Sequence, residues 1–434
     1  MWEGVLRGEP TRAPRFPRWN GGGLGARFPE AEDQHLGSLL IRNIGQIATG
    51  DLAAPLATGD AIYCEDGVIR EVGTSRTDAD VVLDANGLLA APGLVDSHSH
   101  PSFGDFTFTQ QSVGWMRAYL HGGVTTLVSA GELHLPGLPL SPLEPETFRM
   151  LALLGRRTWR RRLPESPHVV AGTLLLAPGM TEQDFDAVAA AGTRVVKFLF
   201  YPWGRDWDEA RRYVAWAHER GLVAKIHSGG VSRSGVSEPA GWEVVDRVQP
   251  DVAGHINGGP IPMSRADLQR VVGESRCYLE LTPNSGNYRR ALETLEFVEA
   301  AGLRQRLVIG TDTPSGTGVL PRAMLRNVCF VSALGGIPPA DAIALASGNV
   351  ARAHGISGGL LQPGQPADIV LLGAIQGAAG TDALSSIAAG DMPGVATVIV
   401  DGEVVVYPRS EQTPPPMRLA RVERGHVASS EYRA

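Results

Sequence analysis

The stretch GLVDSHSH, residues 93–100, runs an apolar segment into two histidines separated by one residue. Successive side chains of a strand leave on opposite faces, so His98 and His100 point to the same side. A metal site needs such a pair, although an HxH by itself is more often incidental. Seven further apolar segments follow: TTLVSAG (125–131), HVVAGTLLL (168–176), RVVKFLF (194–200), LVAKIHSGG (222–230), DVAGHING (251–258), CYLELTPN (277–284) and RLVIGTD (306–312). Helical patterns lie between several of them. Thr181 and Asp184 have capping-box spacing, Ser264 with Asp267 opens another helix, and Gly192 and Gly221 sit where helices should stop. Eight strands with intervening helices predict an α/β chain with a (β/α)8 TIM-like barrel over residues 93–356. An open doubly wound sheet is the structural alternative.

Outside the barrel, LLIRNIGQIAT (39–49), AIYCEDGVIREVG (61–73) and VVLDANGLLAAPG (81–93) are short alternating segments punctuated by Gly, Asp and Asn. Similar segments return only at the far end, as ADIVLLGAI (367–375) and VATVIVDGEVVV (395–406). The barrel is therefore expected to be inserted in a small β-sandwich domain split between residues 38–92 and 357–410. Residues 1–37, rich in Arg, Pro and Gly, read as a flexible N-terminal extension, with a transit peptide as the lesser alternative, and residues 411–434 read as a C-terminal tail. The chain has 434 residues. A barrel of about 250 residues leaves about 180, which these segments fill, giving two domains and not three.

The net charge of −7 lacks the footprint of a nucleic-acid binder, so neither DNA nor RNA is an expected partner. Three cysteines, Cys64, Cys277 and Cys329, form no CxxC pattern, which excludes a thiolate zinc site and a disulfide framework and fits a cytoplasmic protein. No apolar run of about 18 residues is present, and no membrane association is expected. The run Arg156, Arg157, Arg160, Arg161, Arg162 falls on a predicted outer helix and reads as a solvated face. Met180, Met263 and Met324 have no cofactor spacing and read as packing.

The active sites of such barrels form at the carboxyl-terminal mouth. His98, His100, His227, His255 and Asp312 end four of the predicted strands, and Lys197 lies within a fifth. Each has a structural reading by itself; together they make a His and carboxylate donor set suited to Zn, Fe or Mn. An apolar strand is a costly place for an ammonium, so Lys197 is expected to have a lowered pKa, and its neutral amine can take up carbon dioxide as a carbamate. A salt-bridged structural lysine is the alternative. Lys225, on the same face as His227, reads as structural. Substrate-contact candidates on the loops are His134, Trp203, Arg205, Arg233, Asn257, Asn284, Ser285, Ser315 and Thr317. Gly258 and Gly259 read as a tight loop, since no phosphate-binding spacing accompanies them.

These residues resemble the amidohydrolase superfamily, and within it the enamidases, which hydrolyse the ring amide of 6-oxo-1,4,5,6-tetrahydronicotinate. PGLVDSHSHPS (92–102) is similar to the superfamily's entry strand; HGGVTTLVSAGELHLPG (121–137), HINGGPIPM (255–263), TDTPSGTG (311–318) and DALSSIAAGDMPGV (382–395) carry the enamidase likeness, which spans about residues 38 to 420. The resemblance implies two divalent metal ions, Zn and/or Fe, with Mn acceptable. His98, His100 and Asp312 would hold one ion, His227 and His255 the other, with Lys197 at the bridging position. It implies a metal-activated hydroxide attacking a cyclic amide, with Asp312 as proton shuttle, in a homotetramer. Another lactam, hydantoin-like or imidazolone ring is the alternative substrate. A non-catalytic binding subunit is the remote alternative, and the six filled positions speak against it.

Overall fold

Eight parallel segments alternate with helices around a closed barrel. They are β1 (Leu94–Ser99), β2 (Val124–Ser129), β3 in two pieces (His168–Val170 and Leu174–Leu176), β4 (Val195–Phe198), β5 (Val223–His227), β6 (Val252–Gly254), β7 (Tyr278–Leu281) and β8 (Leu307–Ile309). The computed structural model describes residues 37–427 except 133, 136, 139–141, 200–204, 231–238, 259–260 and 315–317. Closure runs through the first and last strands: Asp312 N–H donates to the His98 carbonyl (2.8 Å) and His100 N–H to that of Thr313 (3.1 Å). The open doubly wound sheet is thereby excluded, and the two strand ends richest in candidate ligands lie side by side.

The break in β3 comes at Ala171, Gly172 and Thr173; its first piece pairs with β2 and its second with β4. Gly172 has φ +84°, and a Cβ there would meet the Ala152 carbonyl at 2.7 Å, so the residue between the pieces must be glycine. Local signals explain the helices. Thr181 N–H donates to the Asp184 carboxylate (2.7 Å) at the start of helix Glu182–Ala190, and Ser264 Oγ accepts from Asp267 N–H (3.0 Å) at the start of Arg265–Glu274.

The chain ends build two more sheets. One has the order Arg421–Arg424, Val81–Asp84, Ser38–Arg42, Ile62–Glu65, Val68–Val72; the other Glu403–Val406, Gly394–Val400, Ile369–Gly373, Leu89–Pro92, Gln46–Ala48, Leu56–Ala57. Ile41, Ile62, Ile69 and Leu83 of the first pack with Ala90, Ile369, Leu371 and Ile399 of the second. The alternate residues of the second sheet, Leu89, Ala91, Val370 and Leu372, join the core that contains Trp115, Leu120 and Leu127 beside the barrel. Burial on both faces explains why these strands are apolar throughout.

Residues 411–427, expected as a tail, belong to this β layer. Arg421–Arg424 pairs with Val81–Asp84, and Met417 N–H donates to the Ala374 carbonyl (2.8 Å). The RVER segment is too polar to announce a strand; an edge position that buries little side chain tolerates it. Of the expected extension, residues 1–36 lie outside the described residues. The arginine run is more engaged than a solvated face: Arg156 Nε donates to the Gly192 carbonyl (3.0 Å), and Arg162 lies 3.5 Å from Asp401 and 3.4 Å from Glu403. Among the described residues no helix is long and apolar enough to cross a membrane.

Candidate active site

The strand ends bring His98, His100, His227, His255, Lys197 and Asp312 together. One potential ligand atom from each of His98, His100 and Asp312 lies within 4.8 Å of the others. His98 Nε2 is 3.5 Å and His100 Nε2 3.0 Å from Asp312 Oδ1. His100 Nδ1 donates to the Gly131 carbonyl (3.1 Å) and His98 Nδ1 to Glu280 Oε1 (2.5 Å), so in both rings Nε2 is the nitrogen turned to the aspartate. Acceptor atoms thus converge, an arrangement that a shared cation satisfies.

His227 and His255 stand beside this trio. Their rings are 4.4 Å apart, and the His255 ring is 5.2 Å from that of His98. His255 Nε2 and His227 Nδ1 face each other at 3.1 Å, while among the described residues His227 Nε2 and His255 Nδ1 have no hydrogen-bond partner. Two imidazole nitrogens facing each other across 3.1 Å can share one proton or turn to a common cation. Burial, with the charge of Lys197 and Lys225 nearby, holds His98 well below the usual imidazole range; burial does the same to His227 and lowers His255. Neutral imidazole is the form that binds metal. The donor set of imidazole nitrogens and a carboxylate, without thiolate, fits a divalent ion of the Zn, Fe or Mn kind.

Lys197 is 1% exposed and its Nζ lies 3.0 Å from His98 Nε2. Burial and the positive charge of Lys225 push it down to about 7. Lys225 is its register partner on β5, and the two lysines differ in what they meet: Lys225 pairs with Glu280 and donates to the Ser97 carbonyl (2.8 Å). The structural reading of Lys225 therefore matches its contacts.

Other candidates sort by where their polar atoms go. The His134 ring stacks edge-on against His100 at 4.7 Å, and burial pushes it down to about 3. Asn257 donates to the Thr282 carbonyl (3.1 Å) and accepts from Thr282 N–H (2.8 Å), tying the end of β6 to that of β7. Asn284 donates to the Thr311 carbonyl (2.7 Å), and Ser285 Oγ lies within hydrogen-bond distance of the carbonyls of Thr282 (2.8 Å) and Gly258 (3.1 Å), to one of which its single proton goes. These three brace the mouth loops. Arg205 is exposed, and Trp203, Arg233, Ser315 and Thr317 lie outside the described residues.

Two buried carboxylates that bond to the histidine candidates are not singled out by the sequence. Glu280, in the middle of β7, meets His98, Ser97, Lys225 and the His255 backbone. Asp96 accepts from the N–H groups of His98 (3.0 Å) and Thr311 (3.0 Å) and from Thr311 Oγ1 (2.5 Å), joining β1 to the end of β8. A signal did exist: an acid within an apolar strand, in a chain with lysines buried in two others, calls for pairing.

Comparison with known proteins identifies the family. A family model described as the amidohydrolase family matches residues 282–405. Enamidase of Eubacterium barkeri is 34% identical over 387 residues, 88% of this chain and 99% of that protein. The crystal structure of enamidase, described as a new member of the amidohydrolase superfamily, matches with a TM-score of 0.83 over 89% of this chain and 100% of its own. At the level of fold alone, the N-acetyl-D-glucosamine-6-phosphate deacetylase of Mycobacterium smegmatis matches with a TM-score of 0.54 and 21% identity over 85% of this chain and 99% of its own. By its sequence, its barrel and the residues at the barrel mouth, the chain belongs to the amidohydrolase superfamily.

Proposed function

We propose that the chain is a metal-dependent hydrolase of cyclic amides, acting on a C–N bond as an enamidase does. The observation that carries this is the convergence of His98, His100 and Asp312 beside the buried pair of His227 and His255, whose nitrogens face each other at 3.1 Å. His98, His100 and Asp312 would hold one divalent ion and His227 and His255 a second, zinc and/or iron, with Lys197 between them. Ions bound there supply activation of water and polarisation of the amide carbonyl.

The chain's own contribution is proton transfer and positioning. Asp312, ionised at neutral pH, takes the proton of the attacking water and returns it to the departing ring nitrogen, serving as base and then as acid. In an enamide the released enamine tautomerises to an imine, and addition of a second water expels ammonia and leaves an aldehyde. Lys197, with its depressed pKa, has a neutral amine fraction that can bond to carbon dioxide with loss of a proton, and the carbamate would add an anionic ligand to the imidazole and carboxylate set. His134, a neutral imidazole against His100, is the described residue best placed to meet the substrate. A cytoplasmic homotetramer completes the proposal; all three cysteines are free and buried, which a reducing compartment allows.

The test joins metal content to turnover. Purified protein should carry well over one transition metal per chain and release ammonia from 6-oxo-1,4,5,6-tetrahydronicotinate or a related ring in a screen that also holds lactams, hydantoins and imidazolones. A chain with little metal, and no activity restored by Zn, Fe or Mn, would overturn the proposal.

A further inference from the structure

Glu280 is fully buried, and the polarity of its contacts is determined by the donors around it. Oε1 accepts from His98 Nδ1 (2.5 Å) and from the backbone N–H of His255 (2.9 Å); Oε2 accepts from Ser97 Oγ (2.6 Å) and from Lys225 Nζ. The single Ser97 hydroxyl proton goes to Glu280, so Ser97 Oγ must accept from His354 Nε2 (2.9 Å), which leaves His354 Nδ1 bare; that nitrogen is in fact buried without a partner. On the other side, His98 has its proton on Nδ1 and its Nε2 lone pair directed at Lys197 and Asp312.

The second contact of Oε1 bears on the other histidine pair. His255 has φ +35°, in the left-handed region that side chains rarely adopt, and its N–H is held by the Glu280 carboxylate while the next N–H, of Ile256, donates to the Glu280 carbonyl (2.7 Å). One residue thus fixes the tautomer of a ligand proposed for the first ion and the backbone of a ligand proposed for the second. We infer that Glu280 is the positioning residue for both metal positions, coupling them through a single carboxylate oxygen. This rests on the metal-centre reading above.

The amide of Glu280→Gln has one acceptor and one donor end, whereas the site presents N–H or O–H donors to both oxygens. Either His98 and His255 or Ser97 and Lys225 then face a like group. Partners that orient metal-ligating histidines typically contribute 10- to 100-fold in metal affinity. Titration of the metal-free full chain with Co2+, followed by visible absorption and equilibrium dialysis, should show both sites weakened by about 10- to 100-fold in E280Q, with partial recovery in E280D. The double variant E280Q/K225M removes the unpaired lysine. Continued weak binding there supports positioning; recovery of wild-type binding overturns it, because Glu280 would then serve only to neutralise Lys225. Unchanged Co2+ affinity and spectrum in E280Q would overturn it equally.

Should the variants fail to fold, the wild type decides. Nitrogen-15 imidazole spectra of the metal-free chain should show His98, identified by loss of its signal in His98→Gln or by through-space contacts, as the Nδ1–H tautomer; Nε2–H overturns the inference. A wild type that binds no Co2+ would instead remove the metal-centre reading, a distinguishable failure.

Discussion

Asp312 concentrates the chemistry in one side chain. It has φ +56° and lies within 3.5 Å of two imidazole nitrogens. Asp312→Asn keeps the shape and removes the proton acceptor, so kcat should fall by about 10²- to 10⁴-fold while most of the metal and the fold survive. Steady-state rates and metal analysis on one preparation check this, and near-normal turnover would remove Asp312 as shuttle. Lys197→Ala should lose activity and regain part of it with added short carboxylic acids, which can occupy the space of a carbamate. An unmodified amine in crystals grown with bicarbonate would count against the carbamate.

Where β1 and β8 close the barrel, a glycine is obligatory. A Cβ on Gly310 would meet His98 Cβ at 2.8 Å and His98 N at 3.0 Å. Neither atom is the far end of a flexible side chain, so Gly310→Ala must move the β1 backbone. The expected cost is about 1–3 kcal/mol in denaturant unfolding, with weakened metal binding, because the strand that moves carries His98. The inserted DALSSIAAGDMPGV segment makes a second element-scale case. Its helix Ala383–Ala389 is capped by Asp382, whose carboxylate accepts from Ser385 N–H (2.9 Å). Asp382→Ala should lower stability by about 1 kcal/mol and leave kcat unchanged. The barrel strands and the Thr181–Asp184 and Ser264–Asp267 caps were legible in the sequence, since both patterns are local. The break in β3 and the strand Arg421–Arg424 were not, because each depends on a partner distant in the chain.

Across the molecule, the barrel and the β layer meet at a charged junction. His168, at the start of β3, contacts Asp401 (3.1 Å) in the turn between Gly394–Val400 and Glu403–Val406, and Asp401 N–H donates to Asp368 (2.9 Å). Burial pulls the His168 pKa down, but the Asp401 hydrogen bond and the charges of Asp368 and Asp401 outweigh it, so the folded value is raised. A raised histidine pKa gives stability that is full below the unfolded value of about 6.5 and is lost as pH rises through the folded one. The urea midpoint of wild type should therefore exceed that of His168→Gln at pH 5.5 by more than at pH 8.5. A gap independent of pH would show that the ionic contact contributes nothing.

The sequence by itself determined the periodicities, caps and strand-end histidines from which the barrel and its ligand candidates follow, because these depend on spacing along a few residues. It also separated Lys197 from the other lysine candidate, Lys225, as the unusual member. Tertiary structure alone decided what satisfies each buried polar group. Asn257, Asn284 and Ser285 turned out to brace loops, and Glu280, unremarked within CYLELTPN, became the partner of His98, Ser97, Lys225 and His255. The physical reason is that a buried charge costs little only beside its complement, and the complement of Glu280 comes from three other strands whose adjacency exists only once the barrel has closed.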